Sequence, residues 1–263
     1  MKKIMSFVLA MVCLLALAGC GGHAPQAGAP SHQDAHAGKV LRVGTDADYP
    51  PFEYYQEASK AFIGFDIGLM QGLATEMGYS KVEFVDLEFN NLLPSLKDGQ
   101  VDAVISCMNI TEERKKMADF TEPYLKSYNV VIGAAGTKGG SADVMKDKRI
   151  AAEIGSVHEK QAKKYSGTVI ECGGAEEALK LVMANKADFA IMDHFTALFY
   201  MNNFHNGKLA IVAALPGETD THIAIAVAKG NKELLDRLNA ALGKYRENAA
   251  YHQLKTTYFG KLK

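Results

Sequence analysis

Apolar and polar positions alternate along this chain in a way that sets short strands and helices one after another. Residues 40–45 predict a strand. Residues 64–78 predict a helix, with Met70, Leu73 and Met77 on one stripe and Gly78 as its stop. A strand follows at 82–85. A short helix at 92–97 carries Pro94 near its first turn and Gly99 just past its end. A buried strand is expected at 101–106. The pattern then repeats in looser form: strand 149–153, helix 157–165, strand 169–172, helix 175–184, strand 188–192. Residues 96–105 and 181–191 both run from a helix end through a polar turn and an aspartate (Asp102, Asp188) into a buried strand. Strands alternating with helices predict an α/β fold with mostly parallel sheets, and the repeat predicts two lobes built alike.

Two apolar stretches, 130–132 and 223–227, flank the second lobe and are read as strands connecting the two lobes, and 137–141 as a loop within that lobe. Residues 232–245 predict a closing amphipathic helix with Leu234, Leu235, Leu238, Ala241 and Leu242 inward. Two lobes on two connecting strands make a hinge, and a hinge makes a cleft. The expected division is 39–126 plus 222–263 for the first lobe and 127–221 for the second.

Composition changes the picture mainly at the N-terminus. The chain has 263 residues, enough for two lobes with their own cores, and a net charge of −1, which gives no reason to expect a nucleic-acid partner. Lys2 and Lys3 precede an apolar run over 7–17 that is too short to span a bilayer. The run ends in Leu17-Ala18-Gly19-Cys20, which resembles a lipobox, so 1–19 is read as a lipoprotein signal peptide and Cys20 as the acylated first residue. Residues 20–38 read as a flexible tether; His23, His32 and His36 within it have nothing to fix a metal geometry. Cys107 and Cys172 are expected as buried free thiols.

Ligands of open α/β sheets bind beyond the carboxyl ends of strands. Four places qualify: 46–51, 106–114, Gly155-Ser156 and Asp193. Ser156 and Glu159 form a capping box, and a helix start of this kind offers N–H groups to an anion. Thr111 can cap a turn that carries Arg114, whose guanidinium suits a carboxylate. Asp193 suits an ammonium or a helix cap, and Tyr49 and Phe89 are aromatics near the cleft edges. One cation, one anion-binding helix end, one carboxylate and two aromatics fit a zwitterion. No set of residues with catalytic spacing stands out.

The chain resembles the family 3 extracytoplasmic solute-binding proteins, the polar amino acid receptors of ABC importers. Four stretches carry the resemblance: Gly44-Thr45-Asp46-Ala47-Asp48-Tyr49-Pro50-Pro51-Phe52-Glu53-Tyr54; Gly64-Phe65-Asp66-Ile67; Phe89-Asn90-Asn91-Leu92-Leu93-Pro94-Ser95-Leu96 leading into Gly99-Gln100-Val101-Asp102; and Asn109-Ile110-Thr111-Glu112-Glu113-Arg114-Lys115-Lys116 followed by Asp119-Phe120-Thr121-Glu122-Pro123-Tyr124. It implies a two-lobed periplasmic-binding-protein fold (type II) and a non-enzymatic receptor that works as a monomer, without metal or cofactor, outside the cytoplasm, held by its lipid and delivering an amino acid to a permease. It implies that Arg114 clamps the ligand carboxylate with backbone N–H groups at Asn109 and Val157. Asp193 takes the ammonium, beside the Ser106 and Cys107 segment. Tyr49 and Phe89 sandwich the side chain, with Asp46 at its far end and Glu153 pointing in from the second lobe. Asn109, Cys107 and Val157 depart from the family's usual Ser/Thr, Gly/Ser and hydroxyl or Gly, which removes hydroxyl contacts but leaves backbone ones.

Asp46 and Glu153 at the side-chain end favour a basic ligand: arginine, lysine or histidine. A neutral ligand leaves a buried carboxylate unpaired, at about 3–5 kcal/mol, against about −8 kcal/mol for a whole micromolar complex. Glutamine or another polar amino acid is the alternative ligand, with Glu153 turned to solvent or paired with lysine. A cyclohexadienyl dehydratase on the same fold, with Glu153 or Glu171 as its acid, and a surface adhesin are the alternative functions.

Overall fold

The computed structural model describes residues 38–204, 207–215 and 222–262. The predicted leader, Cys20 and the tether up to residue 37 lie outside them. Among the described residues, no helix is long and apolar enough to cross a membrane.

Two five-stranded sheets organise the chain. The first runs Lys81–Asp86, Val40–Thr45, Ala103–Val104, Ala226–Ala228, Ala118–Phe120. The second runs Thr168–Cys172, Arg149–Glu153, Phe189–Asp193, Asn129–Ala134, Leu209–Leu215. In each sheet three parallel strands come first, and the fourth is antiparallel to both of its neighbours. The repeat seen in the sequence is therefore a repeat of topology. Its aspartates have one job twice over. Asp102 takes the Arg42 guanidinium through both carboxylate oxygens, at 2.7 and 3.2 Å, and Asp188 takes Arg149 at 2.8 and 3.3 Å. Each pair ties the second strand of a sheet, in the order given, to the turn before its third strand. The four side chains are 32–43 % exposed, so the pairs fix register more than they add stability.

The helices form where their capping chemistry puts them. Val157–Tyr165 begins at Ser156, whose side chain accepts from the Glu159 N–H. Glu159 reaches back to the Gly155 N–H at 2.7 Å, one residue before the cap. The Phe65–Glu76 helix ends at Gly78, at φ +80°. Its Gly72 admits Tyr245 of the Lys232–Arg246 helix, because a Cβ there would lie 2.3 Å from the Tyr245 ring. Leu234, Leu238, Ala241 and Leu242 are buried on that closing helix, while Leu235 is only partly so.

Two expectations change. The strand expected at 101–106 pairs only over Ala103–Val104, between Val43-Gly44 and Ala226-Val227. Two further bonds flank it, from the Asp102 N–H to the Arg42 carbonyl at 2.9 Å and from the Ile105 N–H to the Gly44 carbonyl at 3.1 Å, and Cys107 then turns the chain out at φ +43°. Residues 130–132 are not a connection. They lie in Asn129–Ala134, inside the second sheet with a strand on either side, which is why they are apolar throughout. The crossing ribbon is instead Leu125–Lys126 paired antiparallel with His222–Ile223. It runs beside the 106–110 segment, with the Ile110 N–H donating to the His222 carbonyl at 2.8 Å.

Candidate functional site

The carboxyl ends of the parallel strands in both sheets face one cavity. The first strand delivers Asp46 and Tyr49. The turn after Ala103–Val104 delivers Ser106, Cys107 and Asn109, and Phe89 comes from the turn after Lys81–Asp86. From the second sheet come Glu153, at the end of its strand, and Val157, at the start of the next helix. Glu53, Ser156 and His158 line the cavity as well, and sequence reasoning did not put them among the ligand contacts. Glu53 could have been read from its place in the Pro50-Pro51-Phe52-Glu53 turn. His158 had no signal beyond the capped helix it sits on.

Arg114 and Asp193 stand behind the wall, each bonded to a lining residue. Arg114 is buried; its N–H is held by the Thr111 hydroxyl at 3.1 Å, as the expected cap requires. Its guanidinium donates to the Asn109 carbonyl at 2.9 Å and, across the cleft, to the Gly155 carbonyl at 3.2 Å. It also lies over the Phe89 ring at 5.1 Å, a cation–π arrangement. Asp193 caps the His194–Asn203 helix through the Phe195 N–H at 2.8 Å. Its own N–H donates to the Tyr49 hydroxyl at 2.9 Å, a second bond between the two halves. Tyr49 stacks on His158 at 6.2 Å. The two expected sandwich rings thus have separate protein partners, Tyr49 with His158 and Phe89 with Arg114.

The cavity also gathers negative charge. One carboxylate oxygen each from Asp46, Asp48 and Glu153 lies within 4.8 Å of the others. Asp48 was not among the expected contacts. It packs against Gly174 of the second half, where a Cβ would lie 1.8 Å from its Oδ2. Asp46 and Glu153 are 8 % and 5 % exposed. Burial, with Asp48 beside it, pushes the Asp46 carboxyl up to about 8. Burial, with Asp86 and Glu88 nearby, raises Asp48 to about 7. Burial and then Asp46 hold Glu153 well above the usual carboxylate range, with Arg114 pulling it back. Asp193 rises to about 7 through burial, and buried His158 falls to about 3 and is neutral.

Three carboxylates that converge here suit a positively charged partner. They suit a cation that brings its own donors, such as a guanidinium with five N–H groups or an ammonium with three. Asp86, Glu88, Glu176 and Glu177 line an open vestibule of about 1060 Å³ beside the cluster and extend the negative field outward. Cys107 and Cys172 are both free and buried.

The profile of the bacterial extracellular solute-binding proteins, family 3, matches residues 41–261. Over 266 residues the chain is 32 % identical to a probable histidine-binding protein of Neisseria gonorrhoeae, covering 99 % of this chain and 97 % of that one. It is 30 % identical to an arginine-binding extracellular protein of Bacillus subtilis, covering 98 % of each. Among solved structures, an ancestral arginine-binding protein bound to arginine superposes with a TM-score of 0.77 at 34 % identity, over 84 % of this chain and 98 % of that one. An ancestral amino acid-binding protein described as a precursor of cyclohexadienyl dehydratase superposes with a TM-score of 0.72 at 30 % identity, over 84 % and 95 %. The chain belongs to the family 3 bacterial extracellular solute-binding proteins, and its fold is their two-lobed α/β fold.

Proposed function

We propose that this family 3 solute-binding protein captures one free basic amino acid, arginine before lysine or histidine, between its two lobes. The observation that carries the reading is the meeting of Asp46, Asp48 and Glu153 in the ligand cavity. Among the described residues none of the three forms an ion pair. A ligand with a cationic side chain supplies the missing partner; a neutral one leaves the cluster uncompensated. In this reading Arg114 and the start of the Val157–Tyr165 helix take the α-carboxylate, and Asp193 takes the α-ammonium. Tyr49 and Phe89 flank the chain of methylenes, with Ser106, Cys107 and Asn109 lining the same corner. The names of the relatives, which include arginine- and histidine-binding proteins, agree with it.

The rest of the proposal follows the sequence. The lobes comprise 39–126 with 222–263, and 127–221. The chain is exported by its leader, acylated at Cys20, works as a monomer, and hands its ligand to the permease of an ABC importer. A thermal-shift screen of the twenty amino acids tests the ligand. Arginine, lysine and histidine should raise the melting temperature most. A larger shift with glutamine, or none at all, defeats the basic-ligand reading.

The dehydratase alternative draws on one feature, a buried Glu153 held protonated, as a general acid must be. It requires turnover of prephenate or arogenate by the purified protein, and failure to turn over either removes it.

A further inference from the structure

Along one wall of the ligand cavity runs a chain of buried hydrogen bonds. The Asp46 N–H donates to Ser106 Oγ at 3.0 Å, and the Ser106 hydroxyl donates to Glu53 Oε1 at 3.1 Å. Asp66 Oδ2 accepts from the Cys107 N–H at 2.8 Å and from the Tyr124 hydroxyl at 2.6 Å. Glu53 and Asp66 are both 0 % exposed. Their remaining oxygens, Glu53 Oε2 and Asp66 Oδ1, are buried without a hydrogen-bond partner, and each carboxyl is among the groups that set the other's protonation.

Two ionised carboxylates can only accept, so they cannot bond to one another. Side by side and fully desolvated, both cannot stay charged. The groups facing them bring no positive charge. Asp46, Cys107 and Tyr124 act electrostatically on or with the pair, and Asp193 and Glu153 act on Cys107. We propose that Glu53 and Asp66 share a single proton, carried on Glu53 Oε2 and donated to Asp66 Oδ1, and that the pair positions the Ser106–Cys107 turn for ligand binding. The proton sits on Glu53 because Asp66 already takes two donors, which favours its charged form. Burial drives Glu53 well above the usual carboxylate range, while those donors restrain Asp66 at about 6.

The pair acts at a point where the backbone needs holding. Cys107 has φ +43°, a conformation that side chains other than glycine seldom adopt. The bond from its N–H to Asp66 pins it there. Tyr124 directly precedes the crossing strand Leu125–Lys126, so the same carboxylate links the cavity wall to the hinge. Glu53 and Asp66 are positioning residues.

The test rests on the proposed ligand only for its binding readout, and uses L-arginine as probe. Glu53→Gln replaces the acid O–H by a permanent N–H donor and keeps the oxygen that Ser106 needs, so at pH 7 it should bind arginine more tightly than Glu53→Ala. Glu53→Ala should bind roughly tenfold more weakly at that pH, since it leaves buried groups unpaired. Above the pH at which the pair loses its proton, wild-type affinity should fall tenfold per pH unit relative to Glu53→Gln. The ligand's own titration cancels in that ratio. The wild-type-minus-Glu53→Gln infrared spectrum at pH 7 should show the carbonyl band of a protonated acid. Absence of that band overturns the shared proton, as does failure of Glu53→Gln to fold. Parallel affinity profiles, followed to the pH at which the band disappears, overturn the positioning role. A wild type that ignores arginine at every pH would defeat the ligand assignment instead, and the infrared band would still decide the proton.

Discussion

Glu153→Gln is the sharpest probe of the charge-selective end of the cavity. The substitution keeps the shape of the side chain and deletes one of three carboxylates whose oxygens lie within 4.8 Å of each other. A guanidinium about 4 Å from one of them gains about 4 kcal/mol at an effective dielectric of 20. Part of that gain is lost, because the empty site holds Glu153 protonated. Stripping the proton at pH 7.5 costs about 1.4 kcal/mol for each unit by which its pKa exceeds the pH. The dissociation constant for arginine should therefore rise, by less than the roughly thousandfold that the full 4 kcal/mol corresponds to. Isothermal titration calorimetry in two buffers of different ionisation enthalpy measures both quantities involved. The wild type should release protons as arginine binds, and Glu153→Gln should release fewer. Glutamine affinity should change little or improve. An arginine affinity within threefold of wild type, with unchanged proton release, would refute the view that this carboxylate reads ligand charge.

Other outcomes test the remaining parts of the site. Arg114→Ala should weaken arginine binding by roughly 10- to 150-fold in calorimetry, the worth of charge-assisted bonds, and Arg114→Lys should not restore it, because the guanidinium serves Asn109 and Gly155 at once. Gly174→Ala should leave the melting temperature near wild type yet weaken arginine by about tenfold or more, since its Cβ would strike Asp48 Oδ2 where the halves meet. The ligand-free protein should lose stability between pH 6.5 and 8.5. The folded chain keeps protons on Asp46, Asp48 and Asp193, at about 8, 7 and 7, that the unfolded chain has already released. That stabilisation is complete below the ordinary carboxylate value and is lost as pH rises through 7 and 8. His158, buried and neutral, has the opposite dependence, but only below its ordinary value of 6.5. Differential scanning calorimetry showing a melting temperature that rises over that window would contradict the assignment.

The elements that sequence reasoning located best are those held by local chemistry. Arg149–Glu153 and Val157–Tyr165 have the predicted bounds because alternation and a serine cap act within a few residues of chain. Asp46, Tyr49, Ser106, Cys107 and Asn109 were legible as cavity residues because they follow parallel strands at their carboxyl ends, Phe89 as an aromatic near the cleft edge, and Glu153 and Val157 through the family resemblance. What each side chain touches was not legible. Phe89 turns to Arg114, Tyr49 to His158 and Asp193, Asp48 to Gly174, and Glu53 to Asp66. The stretch 130–132 looked like a connection and is a sheet interior. Periodicity and capping report which face of a segment is apolar and where it stops. Which distant segments meet, and so which carboxylates are desolvated together and which are neutralised, depends on how both sheets and the crossing ribbon pack. That packing alone brings Glu153 to Asp46 and Asp48, which lie far from it in the chain, and makes an acidic pocket of the three.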